Sequence, residues 1–226
     1  MKSRQILTSD RFILLGASRG LGWATYQNLF QRFMNQEFLL VSRRIKQKGL
    51  SISDKTHLIE QDFSKGYCDE KFVQQLQDFQ ATHLIYFAGG GPYGPFSQKK
   101  WSDHQWSFET TFLYPARLVH LILSDPARWS SLRQVILIGS AIAENRPDIN
   151  AASYSAAKHA LKGLVDTLVL EKEASLNGLS AEVRLFSPGY MQTDLLPINS
   201  QPRQNGVAEN PLDVAKKLIA MIEKND

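Results

Sequence analysis

Two residues in the stretch AASYSAAKHALKG, residues 151 to 163, have side chains that can do chemistry together: Tyr154 and Lys158. The side chains around them are short and helix-compatible, so the run is expected to be a helix. Residues four apart on a helix lie side by side on one face. A phenol oxygen and an ammonium would then share one small site. A cation beside a phenol favours the phenolate and lowers the tyrosine pKa from its ordinary value of about 10. A tyrosine shifted that way can act as a general acid near neutral pH. The same spacing also fits an amphipathic helix with a tyrosine at its edge and a solvated lysine, so the rest of the chain has to decide.

A second cluster lies near the start, in LLGASRGLGWA, where Gly16, Gly20 and Gly22 follow a short apolar run and open a helical stretch. Glycine lets a backbone approach a phosphate closely and takes positive φ without strain. A helix N-terminus adds unpaired N–H groups and the positive end of its dipole. Together they suit a pyrophosphate, although the spacing is G-x-x-x-G-x-G and not G-x-G-x-x-G.

The elements that must position these residues alternate along the chain. Apolar runs RFILLG (11–16), EFLLVSR (37–43), HLIEQDF (57–63), HLIYFAGGG (83–91), QVILIGS (134–140) and AEVRLFSPG (181–189) read as strands. Helical patterns cover about 20–34, 69–79, 99–124, 151–175 and 210–224, the last with Asn210 as cap and Pro211 in its first turn. Short, near-continuous apolar strands alternating with helices predict a doubly wound α/β domain, a parallel sheet with helices on both faces. Ligands in such domains bind beyond the carboxyl ends of the strands. Gly16, Arg43, Asp62, Ala88, Gly89, Ser140, Pro188 and Gly189 all fall at strand ends and are expected at one edge.

The 226 residues fit one domain of the larger kind or two small ones, and the continuous alternation of strands and helices favours one. Hydrophobic residues at 43% and charged residues at 21% are ordinary for a soluble globular chain. No apolar run approaches the roughly 20 residues of a membrane span, and MKSRQILTSDRFILLG lacks the features of a secretory leader. Cys68 is the only cysteine, which fits a cytoplasmic protein. The net charge of +4 and the basic run SRRIKQK (42–48) read as solvated surface and not as a nucleic-acid site. His57, His83, His104, His120 and His159 show no metal-ligand spacing, and no metal is expected.

Taken in order, the glycine loop, Tyr154-x-x-x-Lys158 and SPGYMQT resemble the short-chain dehydrogenase/reductase family over residues 10–225. That resemblance implies a Rossmann fold, a nicotinamide dinucleotide and hydride transfer at a carbonyl or hydroxyl carbon of a small substrate. Residue by residue, it implies that Gly16, Ser18, Arg19, Gly20, Leu21 and Gly22 hold the pyrophosphate. Asp62 and Phe63 would meet the adenine. Ala88 and Gly89, with Pro188, Gly189, Met191 and Thr193, would line the nicotinamide side. Tyr154 would protonate the substrate oxygen, Lys158 would lower its pKa and hold the ribose, and Ser140 would bind the oxygen. Thr111 falls where the family has an asparagine in a proton relay, and Tyr86-Phe87 stands in place of the family's Asn-Asn pair. A homodimer or homotetramer through the helices at 99–124 and 151–175 is also implied.

An NAD-selective site would carry a carboxylate near the end of the second strand. Here that end reads Ser42-Arg43-Arg44, with no acid, and guanidinium groups suit a 2′-phosphate. With Arg19 as a second partner, NADP(H) is the expected cofactor, and carbonyl reduction the expected activity. The alternative is an NADP-binding sensor or interaction module of the same fold with little turnover. The loop GGGPYGPFSQKKW (89–101) is placed at the edge of the site. The lid region, about 194–210, reads as compact and polar, which points to a small or polar substrate or to an open cleft.

Overall fold

In the computed structural model, which describes residues 6–46, 49, 52–65, 67–145, 148–174 and 181–224, the six apolar runs all become strands. They are β1 (Arg11–Leu15), β2 (Glu37–Val41), β3 (Thr56–Ile59), β4 (His83–Tyr86), β5 (Gln134–Ile138) and β6 (Glu182–Phe186). All pair in parallel in the order β3-β2-β1-β4-β5-β6. That order reverses between β1 and β4, where the chain moves from one half of the sheet to the other and a crevice opens. The fold is therefore the doubly wound Rossmann type.

Period-two alternation sorts the strand side chains into two layers. Ile13, Leu15, Leu39, Val41, Leu84, Tyr86, Val135 and Leu137 face one way, into a core shared with Phe72 and Leu76 of α2 (Glu70–Asp78). Leu118 and Ile122 of α4 (Tyr114–Ser124) and Leu161, Val165 and Leu168 of α6 (Ala152–Glu173) complete that layer. Phe12, Leu14, Phe38, Leu40, Ile85, Ile136 and Ile138 face the other way. They meet Leu21, Tyr26 and Leu29 of α1 (Gly20–Arg32) and Val214, Leu218 and Ile222 of α8 (Pro211–Ile222). Each such fully buried aliphatic side chain contributes roughly 1.5–3 kcal/mol relative to exposure. Both faces need apolar cover, which is why the strands read as nearly unbroken apolar runs.

The strands end earlier than the runs do. EFLLVSR stops as strand at Val41 and HLIYFAGGG at Tyr86, and the remaining residues of each run turn off the sheet edge to build the crevice. The pattern at 99–124 is not one helix. It divides into α3 (Trp101–Phe108), a π turn at Glu109–Leu113 and α4. Pro115 is the reason. It has no N–H for the carbonyl of Thr111 four residues back, and its ring would crowd that carbonyl in an α-helix. The wider turn resolves the conflict, with the Tyr114 N–H reaching five residues back to Glu109.

Two short helices, α5 (Ala141–Asn145) and α7 (Gln201–Gln204), lie after β5 and in the lid region. The basic run at 42–48 is described as far as Lys46, and residues 47 and 48, like residue 175 at the expected end of α6, lie outside the described residues. Among the described residues no helix is long and apolar enough to cross a membrane, and no group of three or more His, Cys, Asp or Glu could hold a metal. Leu113, Val169 and Leu170, on the helices that the resemblance would pair between subunits, are exposed.

Candidate active site at the sheet edge

A cleft of about 930 Å³ runs along the carboxyl ends of the strands. Every residue that the sequence assigns to a dinucleotide lines it, as do Ser140, Tyr154 and Lys158. Parallel pairing explains the convergence. In register, Leu15, Val41, Ile59, Tyr86 and Leu137 sit level across the sheet, so the segments leaving these strands all reach the same edge.

The glycine loop is shaped for close approach. Gly16 takes φ +94°, and a Cβ there would lie 2.9 Å from the Cα of Ala88. A Cβ on Gly22 would lie 2.6 Å from the carbonyl oxygen of Gly16. α1 then starts with no side-chain cap and no acid in its first turn. Its leading N–H groups are thus left for an anion. Ser18 and Ser42 share a hydroxyl contact of 2.9 Å that ties the loop to the end of β2. Arg43 and Arg44 are exposed and line the cleft beside it. These features fit a dinucleotide phosphate.

Three sequence expectations change here. Arg19 is paired, 3.1 Å from Asp194 across the mouth of the cleft. Both side chains are mostly exposed, so water screens the pair and an incoming phosphate can displace it. Phe63 lines the cleft, but its ring is buried edge-on against Tyr86 and Tyr114, which leaves its backbone as the contact surface. Asp62 beside it accepts from the Ser64 N–H at 3.0 Å and the Ser64 hydroxyl at 2.8 Å. Burial pushes its carboxyl up, but those bonds and the charges of Arg43 and Lys65 outweigh it, so Asp62 stays below the usual carboxylate range. An ionised acceptor suits an adenine amine. The lid, expected to be polar, turns Leu195, Leu196 and Pro197 inward to line a second cavity of about 110 Å³ that adjoins Ser140 and Tyr154. Ile198 and Val207 of the same segment are exposed instead, so composition alone did not show which apolar side chains face the cavity. Arg203 holds the lid by donating to the carbonyls of Leu196 and Thr193.

Thr111 sits beside the cleft and not on its wall. It is fully buried and does not line the cleft. Its hydroxyl accepts from the Gly90 N–H at 3.0 Å and donates to the Gly90 carbonyl at 3.1 Å, fastening the π turn to the loop after β4. The backbone is distorted at that turn, and the Thr111 carbonyl lacks the helical donor that Pro115 would have supplied. Thr111→Val is expected to cost about 1–3 kcal/mol in urea unfolding, because the Gly90 N–H loses its buried acceptor. Thr111→Ser should restore most of it.

Tyr86 closes the same turn. Its hydroxyl donates to the Thr110 carbonyl at 2.7 Å. The residue five on from Thr110 is Pro115, which has no N–H, and the Tyr114 N–H is committed to Glu109. The lost amide at position 86 is thus replaced by a phenol with a defined partner, and burial pushes that phenol well above its ordinary pKa.

Tyr154 and Lys158 share the expected face of α6, with the Lys158 Nζ 5.5 Å from the Tyr154 ring centre. Lys158 is 3% exposed and donates to the carbonyl of Ile138 at the end of β5. The pKa of Tyr154 moves opposite to the expected direction. Burial pushes it to about 12, opposed by a hydrogen bond from Ser140 and reinforced by the charge of Glu144. Burial also lowers Lys158 to about 8, and Glu144 opposes that fall. Spacing alone predicted proximity of the charges, but desolvation is larger than their interaction in the site as it stands.

The family profile described as short chain dehydrogenase matches residues 11–203. No curated protein matches the chain by sequence. Among solved structures, a short chain dehydrogenase family protein from Francisella tularensis superposes with TM-score 0.72 at 16% identity, over 96% of this chain and 92% of that one. An alcohol dehydrogenase from the archaeon Thermococcus sibiricus, complexed with 5-hydroxy-NADP, gives TM-score 0.75 at 18% identity over 96% and 92%. A 4-hydroxyisoleucine dehydrogenase complexed with NADH gives 0.78 at 17% over 95% and 91%. At such identities the structural likeness is one of fold, whereas the profile spans most of the chain and carries the assignment: this protein belongs to the short chain dehydrogenase family of oxidoreductases.

Proposed function

We propose that the protein is an NADPH-dependent reductase of a small aldehyde or ketone. The observation that carries this reading is the convergence of Ser140, Tyr154 and Lys158 where the dinucleotide-shaped cleft meets the small lid cavity. A nicotinamide cofactor bound in the cleft would supply the hydride. The chain's own groups then have separable tasks. Ser140 donates a hydrogen bond to the carbonyl oxygen and polarises it. Tyr154 gives that oxygen a proton as the carbon is reduced, so that an alcohol leaves and the phenolate is reprotonated from solvent. Lys158 holds a positive charge beneath the phenol and offers N–H donors to a ribose.

A phenol held near 12 is protonated throughout the physiological range. The lid cavity, walled by Ile142, Met191, Leu195 and Leu196, supports a substrate with a small apolar body. With Cys68 as the only thiol, a reducing cytoplasm is the proposed location.

The absence of an acid at 42–44 and the presence of Arg43 and Arg44 favour NADPH over NADH. Both kinds of cofactor occur in similar folds, NADH with the 4-hydroxyisoleucine dehydrogenase and NADPH with BdcA, so the local residues have to choose. Fluorescence titration is expected to give tighter binding of NADPH than of NADH. The Arg43→Glu/Arg44→Glu double variant should lose about 10- to 100-fold in NADPH affinity, the worth of charge-assisted bonds to a phosphate, with NADH affinity little changed. Equal binding of both cofactors by the wild type would overturn the NADP assignment. A screen of small aldehydes and ketones with NADPH then tests the reaction itself.

A further inference from the structure

We propose that Glu144 is the positioning residue of this active site: its carboxylate stands behind Ser140, fixes the backbone of that serine, and places a negative charge on the stretch of backbone that also anchors Lys158. The inference rests on the reductase reading for its catalytic meaning, but its geometry is independent of it. Glu144 lines neither cavity. Its Oε1 accepts from the Ser140 N–H at 2.7 Å and from the Ser187 hydroxyl at 2.9 Å, joining the ends of β5 and β6. In return, the Ser140 Oγ accepts from the Ala143 N–H at 3.3 Å, a reciprocal cap at the start of α5. That N–H occupies one lone pair of the serine and leaves its proton for the Tyr154 oxygen or a substrate oxygen.

Gly139 is the counterpart of this arrangement. A Cβ at that position would fall on the Ser187 Oγ and the Glu144 Oε1, well inside contact distance. The carboxylate therefore occupies the space that a side chain at 139 would need. This gives the glycine immediately before the active-site serine a physical reason.

The second half of the proposal is electrostatic. The titratable groups that feel the Glu144 charge are Tyr154, Lys158 and Lys162, all on α6, and Lys162 is tied to Asp166 at the surface. An anion raises the pKa of both a phenol and an ammonium. Lys158 is buried and donates to the carbonyl of Ile138, two residues before the Ser140 N–H that holds the Glu144 carboxylate, so the ammonium and the anion are both fastened to one short stretch of backbone. The Glu144 charge opposes the burial that drives off the lysine proton. The ammonium is therefore lost as pH rises through about 8, and removing Glu144 moves that loss to lower pH.

The test uses the full chain with ¹³C-labelled lysine, following the Lys158 Cε resonance by NMR as pH rises, with Lys158→Arg for assignment. Glu144→Gln keeps an oxygen to accept both hydrogen bonds and removes only the charge. Its Lys158 midpoint is expected about one unit below that of the wild type, and the alkaline limb of kcat/KM for carbonyl reduction should shift the same way. Glu144→Ala removes charge and acceptor together. It should show the same midpoint shift and an additional loss of about tenfold in kcat, with NADPH affinity unchanged. If one variant does not fold, the other still reads the charge.

A simple helix cap predicts something else, since glutamine caps as well as glutamate. Midpoints equal to the wild type in the variants that fold would overturn the proposal. A shifted midpoint in a protein that turns over no carbonyl would sink the reductase reading and leave the electrostatic role of Glu144 standing.

Discussion

Tyr154→Phe is expected to lower carbonyl reduction by about 10³-fold, within the range that a positioned general acid supplies, while changing NADPH affinity by no more than about twofold. The phenylalanine keeps the ring in place on α6 and removes only the oxygen that bonds with Ser140. Lys158 keeps its own anchor at the Ile138 carbonyl, so the cofactor side of the cleft is undisturbed. Single-turnover rates with saturating NADPH, followed by loss of nicotinamide absorbance, read the chemical step directly. The same comparison separates an enzyme from a sensor of the same fold. Equal, near-zero turnover in wild type and variant would favour the sensor. The departures that first raised that alternative have lost weight, because Tyr86 and Thr111 close the π turn with defined bonds to Thr110 and Gly90.

Gly16→Ala is expected to destabilise the fold by about 2–5 kcal/mol and to abolish dinucleotide binding. Two effects combine. A φ of +94° lies in the region that an L side chain occupies only at a cost of about 1–2 kcal/mol or more. The new methyl would also meet the backbone of Ala88, and overpacking of that kind typically adds about 1–3 kcal/mol. Ala88 belongs to β4's continuation, so the chain can relax only by spreading β1 from β4 at the point where the crevice opens. Urea unfolding measures the stability and NADPH titration the binding. Gly163→Ala is the control of opposite sign. It lies inside α6 with nothing within 4 Å of a Cβ, and it should gain about 0.5–1 kcal/mol. A Gly16→Ala protein with wild-type stability and affinity would show that the loop is not conformationally constrained.

Much of the fold and the site was legible in the chain because the relevant physics is local. Short, nearly unbroken apolar runs mark the strands, and the parallel sheet results from their alternation with helices. Tyr154 and Lys158 needed only a helix to become neighbours. The glycines needed only a strand before them and a helix after. Because parallel strands end level, residues at six separate places in the sequence could be assigned to one edge before any contact was known.

The features that the sequence could not determine depend on distance through space and on burial. Arg19 and Asp194 are 175 residues apart, and only the fold brings one to the other. The Glu144 carboxylate finds Ser187 only because β5 and β6 are adjacent in the sheet, so a glutamate four residues after a serine carried no visible signal of its role. Pro115 could have warned of the break in the helix at 99–124, but the partner that repairs it, Tyr86, lies on another element. The sign of the Tyr154 shift is the clearest case. Spacing established that a cation lies nearby. Whether the phenol then loses its proton more easily depends on how completely the fold removes water from it, and desolvation is a property of the tertiary structure alone.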